Sequence, residues 1–201
     1  VLDTIVPVAS CKNITVYLGA LGIATIDSTD IDNGSSDNCL LSTISVSTTT
    51  FDCTSLGANT VTMTATDASG NSGSCISTVT VLDTIVPVAS CKNVTVYLDA
   101  LGLATIDSTD IDNGSSDNCG ISSLSVSTTT FDCTNLGANT VTMTATDASG
   151  NSGSCISTVT VLDTIVPVAS CKNITVYLDA LGLATIDSTD IDNGSSDNCG
   201  I

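Results

Sequence analysis

The chain is one 80-residue unit written two and a half times: VLDTIVPVASCKN stands at Val1, returns at Val81 and returns again at Val161. Residues 1–80 and 81–160 differ at eight positions (14, 19, 23, 40, 41, 43, 44 and 55, against their partners 80 further on), and the third copy departs from the second only at Ile174, where the second has Val94. Tandem near-identity forces every copy into one fold and makes any contact between neighbours repeat as well. Catalysis asks for no such duplication, whereas reach and multivalency do. The run stops at Ile201 in mid-copy, which is what a piece of a longer array looks like.

A copy of this length lies at the small end of independently folding domains. Phe51, Phe131 and three Tyr are the whole chain's only aromatic bulk, with no Trp, so the core of each copy is thin and needs staples. Four cysteines per full copy, at 11, 39, 53 and 75 in the first, read as those staples; ten Cys without one His do not have zinc spacing. Disulfides imply an oxidising compartment outside the cytosol. Of the three pairings open to four cysteines, we expect Cys11–Cys75 and Cys39–Cys53, with Cys91–Cys155 and Cys119–Cys133 in the second copy. Cys11 and Cys75 fall in the first and last strands, which are often neighbours, and Cys39 and Cys53 bracket a short step able to fold back on itself. Cys171 and Cys199 are then left without partners. Each bridge contributes on the order of 3–4 kcal/mol by loop-closure entropy. The first bridge would also carry tension from Pro7 to Val81 around the interior of the copy.

Period-two alternation dominates. Ile14, Val16 and Leu18 form one apolar face, and Val61, Met63 and Ala65 another, with Thr62, Thr64 and Thr66 turned outward. The segments 23–26, 44–50 and 76–81 read the same way, rich in β-branched residues. Turns fall at 20–22, 27–38, 56–59 and 67–73, and no apolar 3.6-residue stripe signals a helix. Roughly seven short strands in 80 residues is the spacing of an immunoglobulin-like β-sandwich.

Net charge is −18, from 21 acidic residues, all Asp, against three Lys and no Arg. That balance excludes nucleic acid as a partner on Coulomb grounds. No apolar run approaches the ~18 residues of a membrane span. Without His, Glu or Arg, no pair of groups stands out for acid–base or nucleophilic work, and the chain is read as no enzyme. The Asp-rich turn 27–38 does not match a calcium-binding helix-loop-helix, because Ile31 occupies a ligand position and no Glu closes the loop. Two readings of the aspartates stand. Asp83, Asp110, Asp112, Asp117 and Asp147 gather on calcium where a repeat begins, or they cap their own turns through the backbone.

The order DTIVP-x-x-x-C-x-N-I-T-V, then D-N-G-S-S-D-N-C-G, T-F-D-C and T-A-T-D-A-S-G-N-S-x-x-C resembles the hyalin-type (HYR-like) repeats of large Bacteroidota cell-surface proteins, such as flavobacterial gliding adhesins. The resemblance covers the whole chain and all four cysteines of a copy. It implies an Ig-like sandwich, export to the cell surface and an adhesive or structural role, but names no ligand. It also implies that phylum's O-glycosylation pattern, Asp then Ser or Thr then a small or apolar residue, met at Thr4, Ser28, Thr84, Ser108, Thr164 and Ser188. Eukaryotic export would use instead the sequons at Asn13, Asn33, Asn93, Asn113, Asn173 and Asn193.

The expectation is an all-β chain of tandem, disulfide-stapled Ig-like repeats (1–82, 83–162 and a truncated 163–201) arranged as a rod or fibre, extracellular, with calcium its one candidate cofactor. Its role would be the stalk or fibre segment of a secreted bacterial surface adhesin. A repeat-wise glycan- or surface-binding module and a subunit of a self-assembling filament are the alternatives. Its partners would be neighbouring repeats of the same chain and, by lateral or end-to-end association, further copies.

Overall fold

The computed structural model describes residues 3–201. The first copy runs β1 (Ile14–Tyr17), β2 (Ile23–Thr25), α1 (Ser28–Ile31), β3 (Leu41–Val46), β4 (Thr50–Asp52), β5 (Gly57–Asp67) and β6 (Ser72–Leu82). The second runs β7 (Val94–Tyr97), β8 (Leu103–Thr105), α2 (Ser108–Ile111), β9 (Ile121–Val126), β10 (Thr130–Asp132), β11 (Gly137–Asp147) and β12 (Ser152–Leu162). β5 and β6 form a long hairpin, in register from Gly57 opposite Val81 to Thr66 opposite Ser72. β3 joins β5 antiparallel and β1 joins β6 in parallel, giving the order β1-β6-β5-β3, while β2 and β4 pair as a smaller second sheet. The second copy repeats both sheets, and each copy is an Ig-like sandwich. Each full copy forms six strands against the roughly seven expected, and outside them stand isolated bridges, Val8 with Ser36 and Cys11 with Asp32.

Alternation builds the core. Val61, Met63 and Ala65 on β5 and Val79 and Val81 on β6 are wholly buried, joined by Phe51, Leu18 and Ile26. Fully burying such a side chain contributes roughly 1.5–3 kcal/mol. Ile31 completes the cluster from an unexpected element. Residues 28–31, read as turn, form a one-turn helix with a capping box: the Thr29 amide donates to Asp27 Oδ1 (2.7 Å) and the Asp27 amide to Asp30 Oδ2 (2.8 Å). One turn is too short to show helical periodicity, and its capping box uses Asp where Glu is usual.

The third copy shows what this fold needs from its second half. The short helix α3 (Ser188–Ile191) and the bridges Val168–Ser196 and Cys171–Asp192 still form. Residues 174–177 do not form a strand, and Ile174, Val176 and Tyr177 are 38, 51 and 87 % exposed. In the full copies that strand lies on β6 or β12, and this stretch of sequence supplies no such partner.

Two compact units emerge. The first takes in the described residues up to Val88 together with Ser115–Ser123 and Ala145–Gly153, and the second takes in Ala89–Gly114, Leu124–Thr144 and Ser154–Ile201.

Cys11 is bonded to Cys75 and Cys91 to Cys155. The expected Cys39–Cys53 and Cys119–Cys133 bridges do not form. Cys53 is bonded to Cys119 and Cys133 to Cys199, so Cys199 has a partner after all, and Cys39 and Cys171 are the free thiols. The reason is the direction of β5. Cys53 lies just before its first residue, Gly57, whereas Cys39 lies beside Asp3 and near Asp67 at the hairpin end. Ten residues of strand separate those ends by ~30 Å, far beyond the reach of a disulfide.

Candidate functional site

The site is built where a repeat begins, from three segments of the first compact unit. The linker brings Asp83, the turn after Ser115 brings Asp117 and Asn118, and the end of β11 brings Asp147. One carboxylate oxygen from each Asp lies within 4.8 Å of the other two. Asp83 and Asp147 are only 6 % and 4 % exposed.

Amides hold the carboxylates in place. Asp83 Oδ1 accepts from the Ile85 amide (3.0 Å) and Asn118 Nδ2 (3.2 Å), and Asp117 Oδ2 from the Cys119 amide (2.9 Å). Asp147 accepts from the Asn151 amide and from Asn151 Nδ2, both at 2.8 Å. Asn151 Nδ2 also donates to the Asp83 carbonyl (3.2 Å), tying linker to hairpin. Each of these donors is neutral. Buried without a partner are Asp83 Oδ2, Asp117 Oδ1 and Asn118 Oδ1. Burying acceptors in this way costs free energy unless a ligand satisfies them.

The first copy repeats the arrangement with Asp3, Asp37 and Asp67, leaving Asp3 Oδ2 and Asp37 Oδ1 unpartnered. The Ile5 amide holds the Asp3 carboxyl below the ordinary range. At Asp67 burial pushes the pKa up, but the Asn71 side chain and nearby backbone amides outweigh it and hold the carboxyl low. The free Cys39 thiol is pushed up by its hydrogen bond with Asp3 and by that carboxylate's charge.

Asp110 and Asp112 do not join the cluster. Asp110 Oδ2 accepts from the Asp107 amide (2.8 Å) in the capping box of α2, and Asp112 Oδ2 from the Gly114 amide (3.3 Å). For these two, turn capping is the role. Thr4, Thr84, Thr164 and Ser188 are exposed, and Ser28 and Ser108 half-buried at the first helical position. Asn13 and Asn93, by contrast, use their side-chain oxygens to accept from the Thr78 and Thr158 amides (2.8 Å each).

Sequence reasoning missed Asn118, Asn151, Gly22 and the Cys53–Cys119 staple. At Gly22 the backbone is left-handed (φ 71°), and a Cβ would fall 2.8 Å from both the Asn118 carbonyl oxygen and Cys53 Sγ. Only glycine permits both. Asn118 Nδ2 reaches the Gly19 carbonyl as well (3.3 Å). Eighty residues on, Gly102, Cys133 and Asn198 repeat the arrangement, with Asn198 Nδ2 donating to the Asp99 carbonyl (3.3 Å). For Gly22 and the staple the one available signal was arithmetic across copies, since no single copy contains both partners, whereas Asn118 and Asn151 stand in the turns of the same copy as Asp83 and Asp147.

Ig-like sandwiches in tandem, sewn copy to copy by disulfides, define an extracellular adhesion-type repeat module. The chain belongs to the HYR domain family, which matches residues 2–81 and 82–161. No curated protein matches it. Among solved structures it is similar to protocadherin gamma B7 extracellular cadherin domains 1–4, at 12 % identity over 83 % of this chain and 55 % of that one, TM-score 0.36. It is also similar to a three-Ig segment of titin (13 % identity, 81 % of this chain, 69 % of that one, TM-score 0.37). A third is human mucin-like protocadherin EC1-2 (11 % identity, 79 % of this chain, 98 % of that one, TM-score 0.40). The chain spans about half the length of the first of these. The sandwich assignment rests on the strand order and register above. Among the described residues no helix is long and apolar enough to cross a membrane. Family and disulfides agree on an extracellular setting.

Proposed function

We propose that this chain is a load-bearing segment of the stalk of a secreted surface adhesin of the large Bacteroidota kind. Its mechanical units are the repeats 1–82, 83–162 and 163–201, its cofactor is calcium at the leading end of each full repeat, and it works by reach, not catalysis. O-linked glycans on Thr4, Thr84 and Thr164, with Ser28, Ser108 and Ser188, belong to the same reading, supported by the exposure of the three threonines. The observation that carries it is the pattern of staples. Following bonds instead of sequence, the shortest covalent path from Asp3 to Ile201 uses residues 3–11, 53–75, 119–133 and 199–201. At ~3.5 Å per residue, with the three bridges included, that path pulls taut at ~180 Å, against ~700 Å for the unstapled chain. Tension therefore passes through disulfides and leaves most of each sandwich unloaded.

Single-molecule pulling between the chain ends tests this. The oxidised protein should stop lengthening at ~180 Å, and reductant should release extension toward ~700 Å. An oxidised chain that lengthens far beyond the shorter limit refutes the load-bearing reading. A second reading, lateral self-association or a repeat-wise adhesive face, is favoured by apolar residues exposed at matching positions: Tyr17 and Tyr97, Leu21 and Leu101, Ile76 and Ile156. Its signature would be a sedimenting mass that rises with concentration.

A further inference from the structure

We propose that Asp83, Asp117 and Asp147, completed by the side-chain carbonyl of Asn118, form a divalent-cation site suited to calcium, and that the Cys53–Cys119 bond sets its last ligand. The proposal deepens the calcium part of the reading above and takes only the choice of metal from it.

Four observations converge. Three carboxylates crowd together, two of them more than nine-tenths buried, and the hydrogen bonds they receive come from neutral amides. Like charges so placed need a counter-ion or a proton. Asp83 Oδ2, Asp117 Oδ1 and Asn118 Oδ1 are buried with no partner. Two oxygens that each lie about 2.4 Å from one calcium ion are at most about 4.8 Å apart, and the three carboxylate oxygens here span no more than 4.8 Å. The donors are all oxygen, the chain has no His, and the neighbouring Cys119 sulfur is held in a disulfide, so a hard cation fits better than zinc.

The role of the staple comes from comparing copies. Where the cysteine is free, at Cys39, the preceding Asn38 is exposed. Where it is bonded, at Cys119 and Cys199, Asn118 and Asn198 are half-buried and their Oδ1 atoms are buried without partners. With its amide nitrogen donating to Asp83 Oδ1 and the Gly19 carbonyl, and with the next residue stapled to Cys53, Asn118 offers its carbonyl as a fourth donor. The Asp3–Asp37–Asp67 cluster keeps its carboxylates, but Asn38 stands beside Asp3 exposed to solvent instead of buried. The chain thus holds a stronger site at Asp83 and a weaker one at Asp3.

Calcium titration of the oxidised chain by calorimetry is the test. It should show two classes of site, the tighter at least about tenfold stronger and in the sub-millimolar to millimolar range of extracellular modules. D83N should abolish the tighter class, whereas D112N, the same charge change on a turn-capping aspartate, should leave both. Replacing both Cys53 and Cys119 by Ser should bring the tighter class down to the weaker. Terbium luminescence, displaced by calcium, counts the sites on the unaltered protein, so the count does not depend on how a variant folds. Absence of saturable binding to about 10 mM calcium, or equal loss in D83N and D112N, overturns the site. Unchanged affinity without the staple overturns the coupling. The taut length under force depends on disulfides alone, so the stalk reading and this site fail separately.

Discussion

Removing the Cys53–Cys119 staple should cost the first compact unit much of its stability. The bond closes a sequence separation of 66 residues, which by chain entropy is worth ~4 kcal/mol as an upper figure. With a urea m-value of about 1–2 kcal/mol/M for a unit this small, the midpoint should fall by roughly 2–4 M. The perturbation is the double variant Cys53→Ser/Cys119→Ser, which leaves no new thiol behind. The assay is urea unfolding followed by far-UV circular dichroism under oxidising conditions. The second unit keeps its Cys133–Cys199 bond and serves as an internal reference, so one transition should split into two. Cys39→Ser is the decisive control. Cys39 is exposed and unbonded, and its loss should move stability by no more than about 0.5 kcal/mol. Had it been paired with Cys53, the shorter loop would cost about 3 kcal/mol. A Cys39→Ser curve displaced as far as the double variant's, or a non-reducing peptide map linking 39 to 53, would refute the reasoning.

Three further outcomes are expected. Ile111→Ala, at a wholly buried position, should cost about 2–5 kcal/mol, while Ile191→Ala at the equivalent, 36 % exposed position of the third copy should cost far less; denaturant midpoints decide. Gly153→Ala should destabilise by about 1–3 kcal/mol, because its Cβ would collide with the Pro87 carbonyl, and equal melting temperatures would contradict that. The Thr109 hydroxyl and amide hold Asp107 below its usual pKa, as Thr134 holds Asp132. The folded state therefore binds fewer protons than the unfolded one. The stability these caps contribute is present above the unfolded value of about 3.9 and is lost as pH falls through the folded values. Melting temperature should fall from pH 5 to pH 2, and less steeply in Asp107→Asn, which keeps a good cap without a titrating group.

Much of this protein is local, and the local part is legible in one copy of the sequence. Val61, Met63 and Ala65 alternate with threonines because a strand turns successive side chains to opposite faces, and that period needs no knowledge of neighbours. The repeat likewise dictates that the two full copies build the same core, with Val61, Met63 and Ala65 in one and Val141, Met143 and Ala145 in the other. What tertiary structure alone decided is which distant groups meet. Cys39 and Cys53 are close in sequence, but β5 carries the chain between opposite ends of the sandwich before the hairpin returns, so the partner of Cys53 comes from the following copy. The same holds for the aspartates. Asp110 and Asp117 look alike as letters, yet Asp110 spends an oxygen on the Asp107 amide while Asp117 leaves one buried and unpartnered beside Asp83. Residue type sets how many hydrogen bonds a carboxylate can accept; only packing in three dimensions sets which of them are already made.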